Sequence, residues 1–235
     1  MHSINIAPEI AARAISWRGG KKTVFGDVDP ATTAHIIVDL QNGFMLEGAA
    51  VEVPAARDIV GNVNRISRAV REAGGVNIFL QYLIDDEAKS SWAIWFKDFA
   101  DEKRVARLTE AFSRGAHEFE LHSDLDFAPG DLKVEKTRFG AFIPGTCDLL
   151  DILRQRGIET LIITGTATNV CCESTARDAM QLNYKVIFVA DATAALTDTE
   201  HNSALNSMSA VFADVLMTDD VVDLMESTQL VQAAE

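Results

Sequence analysis

Thr160-Leu161-Ile162-Ile163-Thr164-Gly165-Thr166-Ala167-Thr168-Asn169-Val170-Cys171 decides the fold. Thr160–Thr164 is a strand-sized run of β-branched and aliphatic residues without polar alternation, the pattern of a strand buried on both faces. Gly165 breaks it, a short polar loop follows, and a helix is predicted over about Cys171–Leu182. Working outward, Lys185–Ala190 is the next strand, reaching Asp191. Thr197 with Glu200 three residues on is a capping box for a helix over 198–210, and Ala213–Met217 is a last strand. Upstream, Gly130 opens the strand Leu132–Lys136, and Leu149, Leu150 and Leu153 share one face of a helix that Gly157 ends. Further back, His35–Asp39 and Val76–Tyr82 are strands flanking a helix with Ile59, Val63, Ile66 and Val70 on one face, stopped by Gly74-Gly75. Strands alternating with helices predict the α/β class: a three-layer α/β/α domain on a six-stranded parallel sheet. Residues 1–30 are an N-terminal extension to a domain over 31–235. Residues 83–128, with Trp92, Trp95, Phe96, Phe99 and Phe112 in a charged stretch, are a helical insertion over one edge of the sheet.

The 235 residues contain no linker or internal repeat, and 48% hydrophobic with 24% charged residues describes an ordinary globular core. A net charge of −14, from 35 acidic and 21 basic side chains, excludes a nucleic-acid partner, which needs a concentrated basic face. The basic pairs Lys21-Lys22 and Lys103-Arg104 are too small for that role. No apolar run approaches the ~18 residues of a membrane span, and no basic segment leads into an apolar stretch at the N-terminus. A cytoplasmic protein without a membrane partner is expected. The three cysteines, Cys147, Cys171 and Cys172, cannot all pair, so at least one thiol is free and is either inert core or a nucleophile.

Ligands of an open parallel sheet bind beyond the carboxyl ends of its strands. Asp39 closes the first predicted strand, Lys136 the third, and Cys171 follows the loop after the fourth. A thiol, a carboxylate that takes its proton and a cation that favours the thiolate suffice for covalent catalysis, and a helix starting at Cys171 adds its dipole and free amides. Each residue also has an ordinary reading: Cys171 as core packing, Lys136 as a solvated cation, Asp39 as a turn cap. The case for chemistry is their joint position at strand ends.

At these residues the sequence resembles a family. Residues 160–194 are similar to the nucleophile segment of the isochorismatase-like cysteine hydrolases. Ile37-Val38-Asp39-Leu40-Gln41-Asn42-Gly43-Phe44 resembles the family's acidic motif, and Lys136-Thr137-Arg138-Phe139-Gly140-Ala141-Phe142 its lysine motif. The resemblance covers about residues 32–225. It implies a catalytic triad of Cys171, Asp39 and Lys136, a cis peptide at Thr166–Ala167, and an oxyanion hole built from the amides of Ala167 and Cys171.

Members that cleave isochorismate lack the cysteine, so Cys171 argues against that activity. Nicotinamidases of the family carry an Asp-x-His metal motif beyond the second strand, whereas Tyr82-Leu83-Ile84-Asp85-Asp86-Glu87 holds carboxylates and no histidine. No catalytic metal and no cofactor are therefore expected. Arg154-Gln155-Arg156-Gly157-Ile158 and Thr168-Asn169-Val170-Cys171 are most similar to the ureidoacrylate, biuret and N-carbamoyl amidohydrolase branch, which implies hydrolysis of a C–N bond in a small amide or ureido substrate. Gln41, Asn42, Phe44, Trp92, Trp95, Arg138, Phe142 and Asn169 are the expected substrate-binding wall. Arg138 has the alternative of a surface ion pair, and Trp92 and Trp95 that of subunit-interface anchors. A silent binding module of the same fold and a thiol redox protein using Cys171-Cys172 are the rival classes, although redox motifs normally separate their cysteines by two residues. The aromatic insertion and the apolar residues Ile4, Ile6, Ile10, Ile15 and Trp17 predict a homodimer or homotetramer contacting through both segments.

Overall fold

Strands β1 (Thr33–Val38), β2 (Val76–Tyr82), β3 (Leu132–Lys136), β4 (Thr160–Thr166), β5 (Lys185–Ala194) and β6 (Asp214–Leu216) form one parallel sheet in the order β3-β2-β1-β4-β5-β6. The computed structural model describes residues 1–232. The helices are α1 (Pro8–Trp17), α2 (Asn42–Met45), α3 (Val60–Glu72), α4 (Asp86–Ser91), α5 (Glu102–Ala111), α6 (Leu149–Gln155), α7 (Glu173–Gln181), α8 (Asp198–Ser207) and α9 (Thr218–Gln232). Among the described residues no helix is long and apolar enough to cross a membrane.

Every residue of β1 and β4 is buried because successive side chains enter two different cores. Ile37, Phe79, Ile162 and Ile187 pack with Val63, Ile66 and Val70 of α3 and Val221 of α9. Ile36, Val38, Leu80, Leu161, Ile163 and Phe188 pack on the other face with Leu149 and Leu153 of α6 and Ala176 of α7. A helix layer on each face removes the need for polar alternation, which is why the strands read as continuous apolar runs. His35 is the titratable residue within β1. Fully buried, it lies 2.8 Å from Thr164 Oγ1 and 3.2 Å from Asn77 Oδ1, and burial pushes it down to about 3, so it is neutral.

The chain runs from β1 to β2 and β3 on one side, then returns to place β4 against the opposite edge of β1. The crevice where winding reverses opens beyond Val38 and Gly165, which are register partners. Gly165 has φ +111°, and a Cβ there would lie 2.1 Å from the Val38 carbonyl oxygen, so only glycine fits.

Three boundaries differ from the sequence reading. A register shift after Ile163 lets Gly165 and Thr166 pair with Thr193 and Ala194, so β5 continues past Ala190. A wide π-turn over Thr168–Cys172 delays the start of α7 to Glu173. The final strand shortens to Asp214–Leu216. The capping box is present, with Thr197 Oγ1 accepting from the Glu200 amide at 3.2 Å.

The first thirty residues lie on their own chain. Ile4 and Ile6 pack against the core on the α6 side, while Arg18 and the amides of Val24 and Phe25 all bond the buried carboxylate of Asp214. Ile4 and Ile6, grouped in the sequence reading with the residues of a subunit contact, are partly buried against this chain's own core. Trp17 stays 67% exposed.

Candidate active site

Three strand ends build the site. Asp39 follows β1 with φ +53°, a left-handed conformation that aspartate tolerates better than most residues and that turns its carboxylate away from the strand direction. Lys136 is the last residue of β3, two strands from β1, and its side chain crosses above Tyr82 of β2, with Nζ 5.1 Å from the ring centre. Both side chains are fully buried, and Nζ donates to Asp39 Oδ2 at 2.8 Å and to the Arg138 carbonyl at 3.0 Å. Oδ1 of Asp39 finds no partner of regular hydrogen-bond geometry. The Asp39 carboxylate interacts with the Cys171 thiol, which Lys136 also influences and to which the Ala167 amide is directed. The Thr166–Ala167 peptide is cis.

The electrostatics follow from burial. Desolvation raises the Asp39 pKa against the opposing pull of Lys136. Burial opposes the Lys136 charge, but Asp39 and Cys171 outweigh it and hold the lysine above its ordinary range. Burial, with Asp39 beside it, pushes the Cys171 thiol far up against the pull of Lys136. This corrects the expectation of a resting thiolate at a helix N-terminus: the sulfur lies in the π-turn before α7 rather than on the first turn, only 5% exposed. The arrangement sets the Cys171 thiol beside a buried carboxylate that is itself anchored by a buried lysine. Cys172 is fully buried, with its own sulfur 3.8 Å from the Thr164 carbonyl, and faces the core.

Cys171 opens on a cavity of about 200 Å³. Phe44, Trp95 and Asn169, expected in its wall, line it. Tyr82, Phe139, Leu108, Arg104, Leu196 and Glu200 line it as well and escaped the sequence reading. Five expected residues do not. The Gln41 amide is consumed by backbone, donating to the Phe119 and Tyr82 carbonyls at 2.8 and 3.1 Å and accepting from the Tyr82 amide at 2.6 Å. Asn42 donates to the His117 carbonyl at 2.9 Å. These two side chains tie the insertion to the strand ends. Trp92 stands behind the wall, its ring centre 5.6 Å from Trp95 and 4.8 Å from Phe139. Arg138 stacks on the outer face of Trp92 at 5.0 Å and bonds Ser91 Oγ at 2.9 Å. Phe142 is buried in the α6-side core, stacked on Tyr184.

The insertion therefore roofs the cavity through Trp95, Arg104 and Leu108. Its carboxylates are engaged locally: Asp85 caps α4 by accepting from the Ala88 amide at 2.8 Å, and Asp86 pairs with Lys89 at 2.8 Å. Among the described residues, no three His, Cys, Asp or Glu side chains converge as a metal-binding group.

Comparison with known proteins identifies the family. The sequence is similar to the ureidoacrylate amidohydrolase RutB of Caulobacter vibrioides, 35% identical over 206 residues that span 82% of this chain and 91% of the relative. It is 33% identical over 204 residues to the enzyme of the same name from Pseudomonas syringae pv. syringae, covering 81% and 82% of the two chains. A crystal structure of a cysteine hydrolase from Pseudomonas syringae pv. phaseolicola superposes with a TM-score of 0.76 at 27% identity, over 85% of this chain and 95% of that one. The Isochorismatase domain pattern matches residues 33–220, spanning all six strands, and the chain belongs to the isochorismatase family of hydrolases.

Proposed function

We propose that the protein is a cysteine amidohydrolase that cleaves a C–N bond of a small amide or ureido compound through an acyl-enzyme on Cys171. The observation that carries the reading is the buried Asp39 carboxylate, fixed by Lys136 through Oδ2 at 2.8 Å and interacting with the Cys171 thiol that lines the cavity. Sulfur adds to the carbonyl carbon as its proton passes to Asp39 Oδ1. The amides of Ala167 and Cys171 receive the oxyanion. Protonated Asp39 then gives its proton to the departing nitrogen, and the C–N bond breaks to release ammonia or an amine. Water deprotonated by Asp39 cleaves the thioester or thiocarbamate and restores the thiol. Lys136 keeps Asp39 ionised between these steps and orients it.

The relatives named as ureidoacrylate amidohydrolases support a substrate that joins a ureido group to a carboxylate. The cavity suits the unsaturated body of such a molecule, with Phe44, Tyr82, Trp95 and Phe139 around it. Arg104 has no acidic partner among the described residues, and from the cavity wall it offers the counter-charge for the carboxylate. The test is ammonia release across a panel of ureido acids, biuret and primary amides. Wild type is expected to turn over a ureido acid, Cys171→Ser to be inactive and Cys172→Ser to keep most activity. Ammonia release persisting in Cys171→Ser would remove the nucleophile from this mechanism.

A further inference from the structure

The first seven residues are held by one stripe of α8. Asp198, Asn202 and Asn206 recur every four residues, so they stand in a row on the helix surface. Asp198 lies 2.7 Å from His2 Nδ1, Asn202 donates to the Ser3 carbonyl at 2.8 Å and accepts from the Asn5 amide at 2.6 Å, and Asn206 accepts from the Ala7 amide at 2.8 Å. The Met1 amino group meets the Asp58 carboxylate just before α3. The end of the chain is thus tied down through its length, on a surface continuous with the cavity wall.

His2 is the inward-facing member. Its side chain is only 6% exposed, and its ring stacks on that of His201, with centres 4.4 Å apart and planes inclined by 17°. Nε2 lies 3.0 Å from the Ala195 amide nitrogen and 3.2 Å from the Ala195 carbonyl oxygen, while Nδ1 faces Asp198. Ala195 immediately precedes Leu196, and α8 carries Glu200; both line the cavity. His201, fully buried, lies 2.9 Å from Thr168 Oγ1 through Nδ1. Thr168 opens the π-turn that ends at Cys171 and Cys172. Burial, and then the facing His2, press His201 down to about 4, so the His201 ring is held neutral within the stack. Two layers of contact therefore run from the N-terminal segment to the cavity: one through Ala195 to the wall, one through His201 to the nucleophile turn.

We propose that residues 1–7 are a positioning strap of the active site, with His2 and His201 as positioning residues that set the Ala195–Glu200 wall and the Thr168 end of the nucleophile turn. This rests on the reading of the cavity as the substrate site. Releasing the strap loosens the wall, so small electrophiles reach Cys171 more readily while substrate is held less well. The two effects have opposite signs, which separates positioning from a contact that only stabilises the fold.

The experiment compares wild type, His2→Ala, His2→Gln, Asn202→Ala and a chain lacking residues 1–6. The rate of Cys171 alkylation by iodoacetamide is read by peptide mass spectrometry, with Cys147 as internal reference. The expected result is a Cys171 rate about fivefold or more above wild type in His2→Ala, in Asn202→Ala and in the truncated chain, the scale of a typical coupling between sites, with the Cys147 rate unchanged. His2→Gln returns toward wild type because its side-chain carbonyl can accept the Ala195 amide. With a ureido acid as substrate, KM rises more than kcat falls in His2→Ala. Unchanged Cys171 alkylation in His2→Ala and Asn202→Ala, both with wild-type unfolding transitions, would overturn the strap, whether or not the truncated chain folds. Failure of every panel compound to release ammonia would instead overturn the proposed chemistry, and the alkylation result would stand apart from it.

Discussion

Lys136→Met removes the counter-ion of a carboxylate that has no water to turn to. Both partners are fully buried and 2.8 Å apart, and breaking a buried pair from one side destabilises a protein by about 3–5 kcal/mol because the remaining charge is uncompensated. The loss has a pH signature whose sign follows from burial. Without Lys136, desolvation alone acts on Asp39 and raises its folded-state pKa further above the unfolded value. Below the unfolded pKa, near 4, Asp39 is protonated in both states and the variant lacks only the packing of the lysine stem. As pH rises through the interval up to the folded pKa, the unfolded state releases its proton and the folded state does not, so the variant loses stability at up to about 1.4 kcal/mol per pH unit. Because Asp39 is already raised in the wild type, the gap between the two proteins opens between the wild-type and the variant folded-state pKa, and a deficit of ~4 kcal/mol corresponds to roughly three pH units of separation between them. The assay is urea denaturation of wild type and variant in parallel from pH 4.5 to 7.5, reading the difference in unfolding free energy so that ionisations common to both chains cancel. A widening gap is expected. A gap that stays constant across the range would mean that Asp39 is not a buried charge dependent on Lys136, and the assignment of it as the base would go with it.

Asp39→Asn keeps the shape of the site but cannot take the thiol proton, and kcat for ammonia release is expected to fall by ~10²–10⁴-fold, measured under substrate saturation; near wild-type kcat would exclude it as general base. Arg104→Met is expected to raise KM for a ureido acid about tenfold or more, the loss of one charge-assisted contact, and to leave KM for biuret unchanged; equal effects on both would take Arg104 out of carboxylate recognition. Ile94 and Phe99, 67% and 72% exposed on the insertion, together with Trp17, predict self-association. Light scattering should give a multiple of 25.6 kDa that falls in an Ile94→Ser/Phe99→Ser variant, and a constant monomer mass at micromolar concentration would oppose it.

The sheet was legible in the sequence because β1 and β4 are buried on both faces, and residues such as Ile36 and Ile37 leave no polar alternation to confuse a strand with a surface element. The positions of Asp39 and Lys136 at the ends of β1 and β3 were legible because the apolar runs before them mark where those strands stop. The cavity wall was less so. Gln41 and Asn42 stand within the acidic motif, but whether an amide faces substrate or backbone depends on carbonyls at Phe119 and His117, more than 70 residues away. Arg104 read as half of a basic pair too small for nucleic acid, and only the path of α5 over the cavity gives it a task. The π-turn at Thr168–Cys172 carries no local composition signal that separates it from an α-helical start. The Asp198, Asn202 and Asn206 row is visible at helical spacing, yet what it binds lies some 200 residues upstream.

The pairing of β1 with β4 joins Thr33 to Thr160 and Val38 to Gly165, residues 127 positions apart. During synthesis the segment containing β1, β2 and β3 leaves the ribosome first, with the inner edge of β1 still lacking its partner strand. Closure of that long loop is slow compared with the local β1–α3–β2 unit, and it is the step that brings the Cys171 turn to the end of β1. On the proposed mechanism, Cys171 on a nascent or partly folded chain has neither its base nor its cavity until β4 pairs with β1. The appearance of ammonia-releasing activity during refolding would then be a clock for that long-range pairing, and any chaperone that holds the β1 edge open would delay both by the same interval.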